Sequence, residues 1–157
     1  MKVDRKKTES AKIKARLLIV EARFYADMCD ELAKGAIAVL ERSGATWDRL
    51  AVPGALEVPG AIAMAEASRR YDGYVALGCV LRGETTHYEI VSGESARGLM
   101  DLTRKGVCRG KGILTGENEA QAWARAKTTE GDKGGGAAET ALAMVRFKRA
   151  MKKKAAR

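Results

Sequence analysis

From Tyr71 to Glu89 the chain reads Tyr-Asp-Gly-Tyr-Val-Ala-Leu-Gly-Cys-Val-Leu-Arg-Gly-Glu-Thr-Thr-His-Tyr-Glu, and this stretch restricts the fold more than any other. A turn at Asp72-Gly73 leads into an apolar run, Val75 to Leu81, with no polar alternation. A short run that is apolar on both faces predicts a buried parallel strand, because only a strand covered on both sides needs no polar face. The chemistry then changes within six residues: Arg82-Gly83-Glu84-Thr85-Thr86-His87 holds a cation, a glycine, two hydroxyls and the only histidine of the chain. Helical spacing follows from Tyr88 to Leu102. A polar, glycine-containing turn between a buried strand and a helix is where open α/β sheets hold ligands, and the amides opening such a helix suit a phosphate.

The rest of the chain repeats this pattern. Residues 15–20 predict a first strand, ending at Glu21-Ala22-Arg23-Phe24-Tyr25, and Ala26 to Ser43 a helix with Met28, Leu32, Ala36 and Val39 on one face and Gly44 as its stop. Trp47 to Val52 predicts a second strand before Pro53-Gly54, and Leu56 to Arg70 a second helix that tolerates Pro59 in its first turn. Residues 106–115 predict a fourth strand, a poor one interrupted by three glycines and the cations Arg109 and Lys111. A short helix over Glu117 to Lys127, a glycine-rich loop over 128–136 and a last helix from Ala137 to about Met151 complete the chain. Strand–helix alternation of this kind implies parallel strands with right-handed crossovers: a three-layer α/β/α domain with a four-stranded parallel sheet. Such a sheet is narrow for this much helix, and the step pattern Val91, Ser95, Gly98, Leu102 gives a small-residue seam for a close helix neighbour. Both features predict burial between subunits.

Charge divides the chain in three. Residues 1–16 carry +5 and residues 146–157 carry +7, so with a net charge of +9 the stretch 17–145 carries −3. We therefore delimit a charged N-terminal extension over 1–14, a domain over 15–150 and a basic C-terminal tail over 151–157. A nucleic-acid-binding domain carries cations and aromatics on its folded face, whereas aromatics here make up 5% of the chain and the cations sit at its ends. Nucleic acid is therefore expected only as a non-specific partner of those ends. The three cysteines, Cys29, Cys79 and Cys108, form no Cys-x-x-Cys pair, and with one histidine they predict no structural zinc site. No apolar h-region or membrane-length run is present, so a soluble, cytoplasmic protein without a membrane partner is expected.

Parallel strands put Arg23-Phe24-Tyr25, Pro53-Gly54-Ala55-Leu56-Glu57 and Arg82 to His87 on one edge of the sheet, which predicts a shared site. It would hold an aromatic platform, a carboxylate, backbone donors and an imidazole, the side chain whose free titration range spans neutral pH. Gly83-Glu84-Thr85 has the look of an anion cradle without being a Walker motif. Arg125 and Lys133 could supply compensating cations.

These turns, in this order and spacing, resemble 6,7-dimethyl-8-ribityllumazine synthase of riboflavin biosynthesis, whose fold is flavodoxin-like. The matching pieces are Arg23-Phe24, Val52-Pro53-Gly54-Ala55-Leu56-Glu57-Val58-Pro59 and Gly78 to Glu89, extended by Arg125-Ala126 and Asp132-Lys133-Gly134. The resemblance implies a transferase that condenses 5-amino-6-(D-ribitylamino)uracil with 3,4-dihydroxy-2-butanone 4-phosphate, releasing phosphate and water without metal or organic cofactor. By motif position it implies that Phe24 stacks on the pyrimidine and that Ala55, Leu56 and Glu57 hold ring and ribityl chain. Val80 and Leu81 would meet the ring edge, and Gly83, Glu84 and Thr85 would bind phosphate together with Arg125 of a neighbouring subunit. His87 would move protons, and Lys133 would lie near the ribityl end. It further implies homopentamers, in many members closed into sixty-subunit shells, with sites between neighbours. In strand four the pattern changes: Lys111 stands where the family usually carries an apolar, aromatic or asparagine residue facing the neighbour's ring, and Arg109 and Gly116 also depart from it. Those departures motivate an alternative expectation from another class, a scaffold kept for assembly or as a carrier with its chemistry impaired.

Overall fold

The computed structural model describes residues 11–156; residues 1–10, which make up most of the expected N-terminal extension, lie outside them. Four strands form one parallel sheet in the order β2-β1-β3-β4: β1 Arg16–Ala22, β2 Thr46–Val52, β3 Gly73–Leu81 and β4 Arg109–Gly116. The helices are α1 Ala26–Ser43, α2 Val58–Ala67, α3 His87–Arg104, α4 Glu119–Ala126 and α5 Lys133–Ala155, with a 3-10 turn at Ala55–Glu57. The three-layer α/β architecture expected from the alternation is therefore the one observed.

Two apolar clusters fill the space on either side of the sheet. On one side Leu17, Ile19, Val75 and Leu77 meet Leu32, Ala36 and Val39 of α1 and Ala138, Leu142 and Val145 of α5. On the other, Leu18, Val20, Tyr74 and Ala76 meet Val58 and Ile62 of α2 and Val91 and Leu99 of α3. β3 is buried from Gly73 to Val80, which is why its sequence shows no period of two. The edge strand β2 is mostly exposed or half-buried.

α1 has the expected bounds, and Gly44 stops it in the left-handed conformation at φ 76°. Three elements differ from the sequence reading, each for a packing reason. The second helix is shorter than Leu56–Arg70: its first residues form the 3-10 turn, where Glu57 N–H donates to Gly54 O at 3.2 Å, and the chain leaves the helix before Arg69, at φ 55°. The last helix begins at Lys133 rather than Ala137. Its glycines belong to the helix because a Cβ on Gly134 would sit 1.9 Å from Leu32 O, so α5 approaches α1 closer than any side chain allows. The same approach explains the glycines of β4: a Cβ on Gly110 would sit 1.7 Å from Ala137 O. Finally, the small-residue seam of α3 is filled within the chain. A Cβ on Gly98 would lie 2.9 Å from Pro59 of α2, so this seam does not call for a second copy.

Candidate active site

Parallel register brings the ends of β1, β2 and β3 to one edge, and the turns after them enclose a cleft of about 480 Å³. Phe24, Ala55, Leu56, Glu57, Val80, Leu81, Gly83, Thr85 and His87 all line it. Phe24 follows β1 with its ring 77% exposed, held edge-on by Tyr25 with centroids 5.0 Å apart. An aromatic face left this open beside a cleft is available to stack on a planar ring. Ala55 and Leu56 come from the 3-10 turn, so their backbone rather than a regular helix borders the opening.

The far wall begins where β3 runs out. α3 starts at His87 with no side chain of Thr86 capping it, which leaves the positive end of the helix turned to the turn before it. The Thr85 hydroxyl accepts from the His87 N–H at 3.3 Å, and open space surrounds the position a Cβ on Gly83 would take. Backbone amides, a hydroxyl and a helix N-terminus so arranged suit an oxyanion. The imidazole of His87 shares the cleft with the Glu57 carboxylate.

Glu84 is exposed on the same turn without lining the cleft, and the cations expected at the site lie elsewhere in the chain. Arg125, near the end of α4, donates from NH1 to Gln121 O at 2.8 Å. Lys133 is exposed at the first residue of α5. Lys111 lies on β4 with its Nζ donating to Ile113 O at 2.9 Å, and Arg109, two residues earlier, donates from Nε to Leu99 O at 3.3 Å. Burial lowers the pKa of both, and the nearby Arg109 charge lowers that of Lys111 further. Neither is sealed in the core: Arg109 is half-buried, and Lys111 is exposed over the residue as a whole but partly desolvated at the Nζ that leans on the Ile113 carbonyl, so the strand carries these cations on carbonyl oxygens.

Against these positions stand the comparisons with known proteins. The profile of the 6,7-dimethyl-8-ribityllumazine synthase family matches residues 14–149. The chain belongs to that family. A 6,7-dimethyl-8-ribityllumazine synthase of Bartonella bacilliformis is 57% identical over 145 residues, covering 90% of this chain and 95% of the relative. The 6,7-dimethyl-8-ribityllumazine synthase 1 of Rhizobium meliloti is 58% identical over 88% of this chain and 95% of its own length. The synthase of Novosphingobium aromaticivorans is 60% identical over 83% and 94%. The match therefore includes all three turns of the cleft as well as β4 and α4.

Three features of this lumazine synthase family member escape a reading of strand ends. Cys79, inside β3, and Tyr88, in the first turn of α3, also line the cleft, beside the Tyr25 that the strand end placed there. Cys79 alternates with Gly78 on a strand buried on both faces, so sequence gives no sign of which side it takes. Burial raises its thiol to about 11. A second groove, about 700 Å³, runs between β2 and α2 past Leu50, Val52 and Met64, and Glu57 lines both openings. Last, Arg82 pairs with Glu89 and with Glu117, the latter 35 residues away in sequence.

Proposed function

We infer that the chain is a 6,7-dimethyl-8-ribityllumazine synthase, condensing 5-amino-6-(D-ribitylamino)uracil with 3,4-dihydroxy-2-butanone 4-phosphate. The observation that carries this reading is the convergence of Phe24, Glu57, the Gly83–Thr85 turn and His87 on one cleft, in a chain of this family. The amine condenses with the ketone carbonyl and water leaves; elimination expels phosphate, and ring closure releases a second water. None of these steps needs a redox or metal centre, but each moves a proton between nitrogen, carbon and oxygen. Positioning and a proton shuttle supply most of what the reaction requires.

Phe24 stacks on the pyrimidine, the backbone of Ala55 and Leu56 with Glu57 orients the ring substituents, and Val80 and Leu81 close on its edge. The turn of Gly83, Glu84 and Thr85 takes the phosphate through its amides and hydroxyl at the head of α3, and His87 relays protons between them. Among the described residues no lysine or arginine lines the cleft, so the phosphate dianion meets no countercharge in its lining. Arg125 of a neighbouring subunit supplies it, and Lys111 and Lys133 reach the same site from that neighbour. We propose a homopentamer on this basis; the exposed Leu50 and Met64 beside the second groove supply apolar surface for its contacts. The protein works in the cytoplasm, which agrees with its three free thiols, and among the described residues no helix is long and apolar enough to cross a membrane. Its basic ends attract nucleic acid only non-specifically.

The test is direct. Purified protein is mixed with both substrates and lumazine is followed by absorbance or fluorescence; formation no faster than the spontaneous condensation overturns the reading. His87→Ala should lower kcat more than it raises either KM, and Arg125→Ala should chiefly raise the KM for the phosphorylated ketone.

A further inference from the structure

Immediately before the phosphate turn, the partly exposed Arg82 is held by its backbone, by two carboxylates and by an aromatic ring. Its backbone N–H donates to Gly116 O at 3.0 Å, tying the end of β3 to the end of β4. Its Nε donates to Glu117 Oε2 at 2.7 Å and its NH1 to Glu89 Oε1, and its guanidinium lies 4.3 Å from the centre of the Tyr88 ring. Glu89 is in the first turn of α3, two residues after His87, and Glu117 opens the connection to α4. Neither carboxylate has another ion-pair partner among the described residues. Arg82 draws Glu89 to an acidity stronger than an ordinary carboxylate, and the two acids in turn strengthen the hold of Arg82 on its proton.

The surroundings make this arrangement costly to lose. Glu84 is exposed on the turn itself, and Glu57 lies on the opposite wall of the cleft. An arriving phosphate dianion therefore meets a rim populated by glutamates, and among the described residues Arg82 is the basic side chain that pairs with Glu89 and Glu117 there. We propose that Arg82 is a positioning and charge-screening residue, which neutralises Glu89 and Glu117 beside the Gly83–Thr85 turn and so sets the affinity for the phosphorylated substrate. It acts through those carboxylates and through the α3 N-terminus that Glu89 belongs to; it does not touch the reacting atoms. The inference rests on the lumazine synthase reading of the cleft and adds a determinant of anion affinity to it.

Arg82→Met keeps an unbranched, flexible stem and removes the guanidinium with its charge. Two uncompensated carboxylates at solvent-exposed positions should then raise the KM for the phosphorylated ketone about five- to tenfold at low ionic strength. The KM for the amine substrate and kcat should shift less than about twofold, and added salt should shrink the difference, since these charges are exposed. Arg82→Lys should recover part of the effect, and adding Glu89→Gln and Glu117→Gln to Arg82→Met should restore the KM. If both KM values and kcat move together, or if neutralising the acids restores nothing, Arg82 is only a brace and the proposal fails. Should Arg82→Met not fold, the pair Glu89→Gln/Glu117→Gln in the wild-type background decides: it leaves Arg82 uncompensated, so the KM for the phosphorylated ketone must fall, and an unchanged or higher value overturns the proposal. Inorganic phosphate binding by calorimetry gives the same comparison without catalysis. A wild-type protein that makes no lumazine would defeat the functional reading, whereas phosphate affinity that is the same in Arg82→Met and wild type would defeat this one.

Discussion

The carboxylate of Glu21 takes both Nε and NH2 of Arg49, each at 2.8 Å, tying the end of β1 to the middle of β2. Glu21 is 3% exposed and also accepts from Arg23 NH1 at 2.9 Å, so one buried acid answers two cations. Arg23 is the residue before Phe24, and its NH2 is fixed in turn by Asp30 of α1 at 2.8 Å. The exposed Phe24 ring thus follows directly on an ion-pair network reaching across β1, β2 and α1.

Replacing Glu21 with glutamine should therefore register in both stability and substrate handling. Breaking a fully buried pair costs about 3–5 kcal/mol, but here Arg49 and Arg23 keep part of their surface in water, which brings the expected loss to about 1–3 kcal/mol. A urea denaturation midpoint measures it. With Arg23 freed, Phe24 should be less well held, so the KM for the pyrimidine should rise while the KM for the phosphorylated ketone changes little. Equal changes in the two would show that the network does not support the platform.

Helix α5 offers a prediction about packing alone. Gly134→Ala forces a methyl to within 1.9 Å of Leu32 O and 2.7 Å of its carbonyl carbon, both backbone atoms that cannot turn aside. On helix propensity alone the change would stabilise by about 1 kcal/mol. Overpacking should outweigh that gain and leave a net loss of about 1–3 kcal/mol, read as a lower thermal midpoint. A midpoint that rises would mean α1 and α5 can separate without cost.

Raising the pH should weaken the fold through its thiols. Burial pushes Cys29 from 9.0 up to about 12, with the neighbouring Glu21 charge adding to the shift, and pushes Cys79 from 9.0 up to about 11. Between those values the unfolded chain gives up protons that the folded chain retains, so the unfolded state gains stability as pH climbs. The contribution is fully present below about pH 9 and declines above it. Tyr74, whose hydroxyl is buried and donates to Glu66 at 2.8 Å, is also raised and acts with the same sign. Denaturation midpoints at about pH 8 and about pH 10.5 should differ accordingly, and Cys29→Ala should flatten the difference.

Much of this was legible in the sequence because the relevant signals are local. The run Val75–Leu81 and the turn after it, the Gly44 stop and the three strand ends each announce themselves within a few residues, and parallel topology does the rest. What stayed hidden depends on contacts between distant segments. The glycines at 134–136 look like a loop until Leu32 is set against them, and Gly110 looks like a defect until Ala137 lies across it. The seam on α3 is real, but only the position of Pro59 reveals that α2 fills it. The pairing of Arg82 with Glu117 joins residues 35 apart, and no spacing rule announces it.

The sharpest prediction concerns the cations that stand away from the cleft. If Arg125 serves a neighbour's phosphate while His87 serves its own cleft, the two residues of one working site come from different chains. His87→Ala and Arg125→Ala should then each be poor enzymes by themselves, the first through kcat and the second through the KM for the phosphorylated ketone. Assembled together from equal amounts, mixed oligomers contain sites in which an intact His87 meets an intact Arg125 across an interface. Random mixing in a ring gives about a quarter of all sites this composition, so activity should recover to about that fraction of wild type. Light scattering on the same samples gives the mass, and five chains are expected. No recovery in mixed oligomers of that mass would show that each chain completes its own site, and a mass near one chain would remove the shared site altogether.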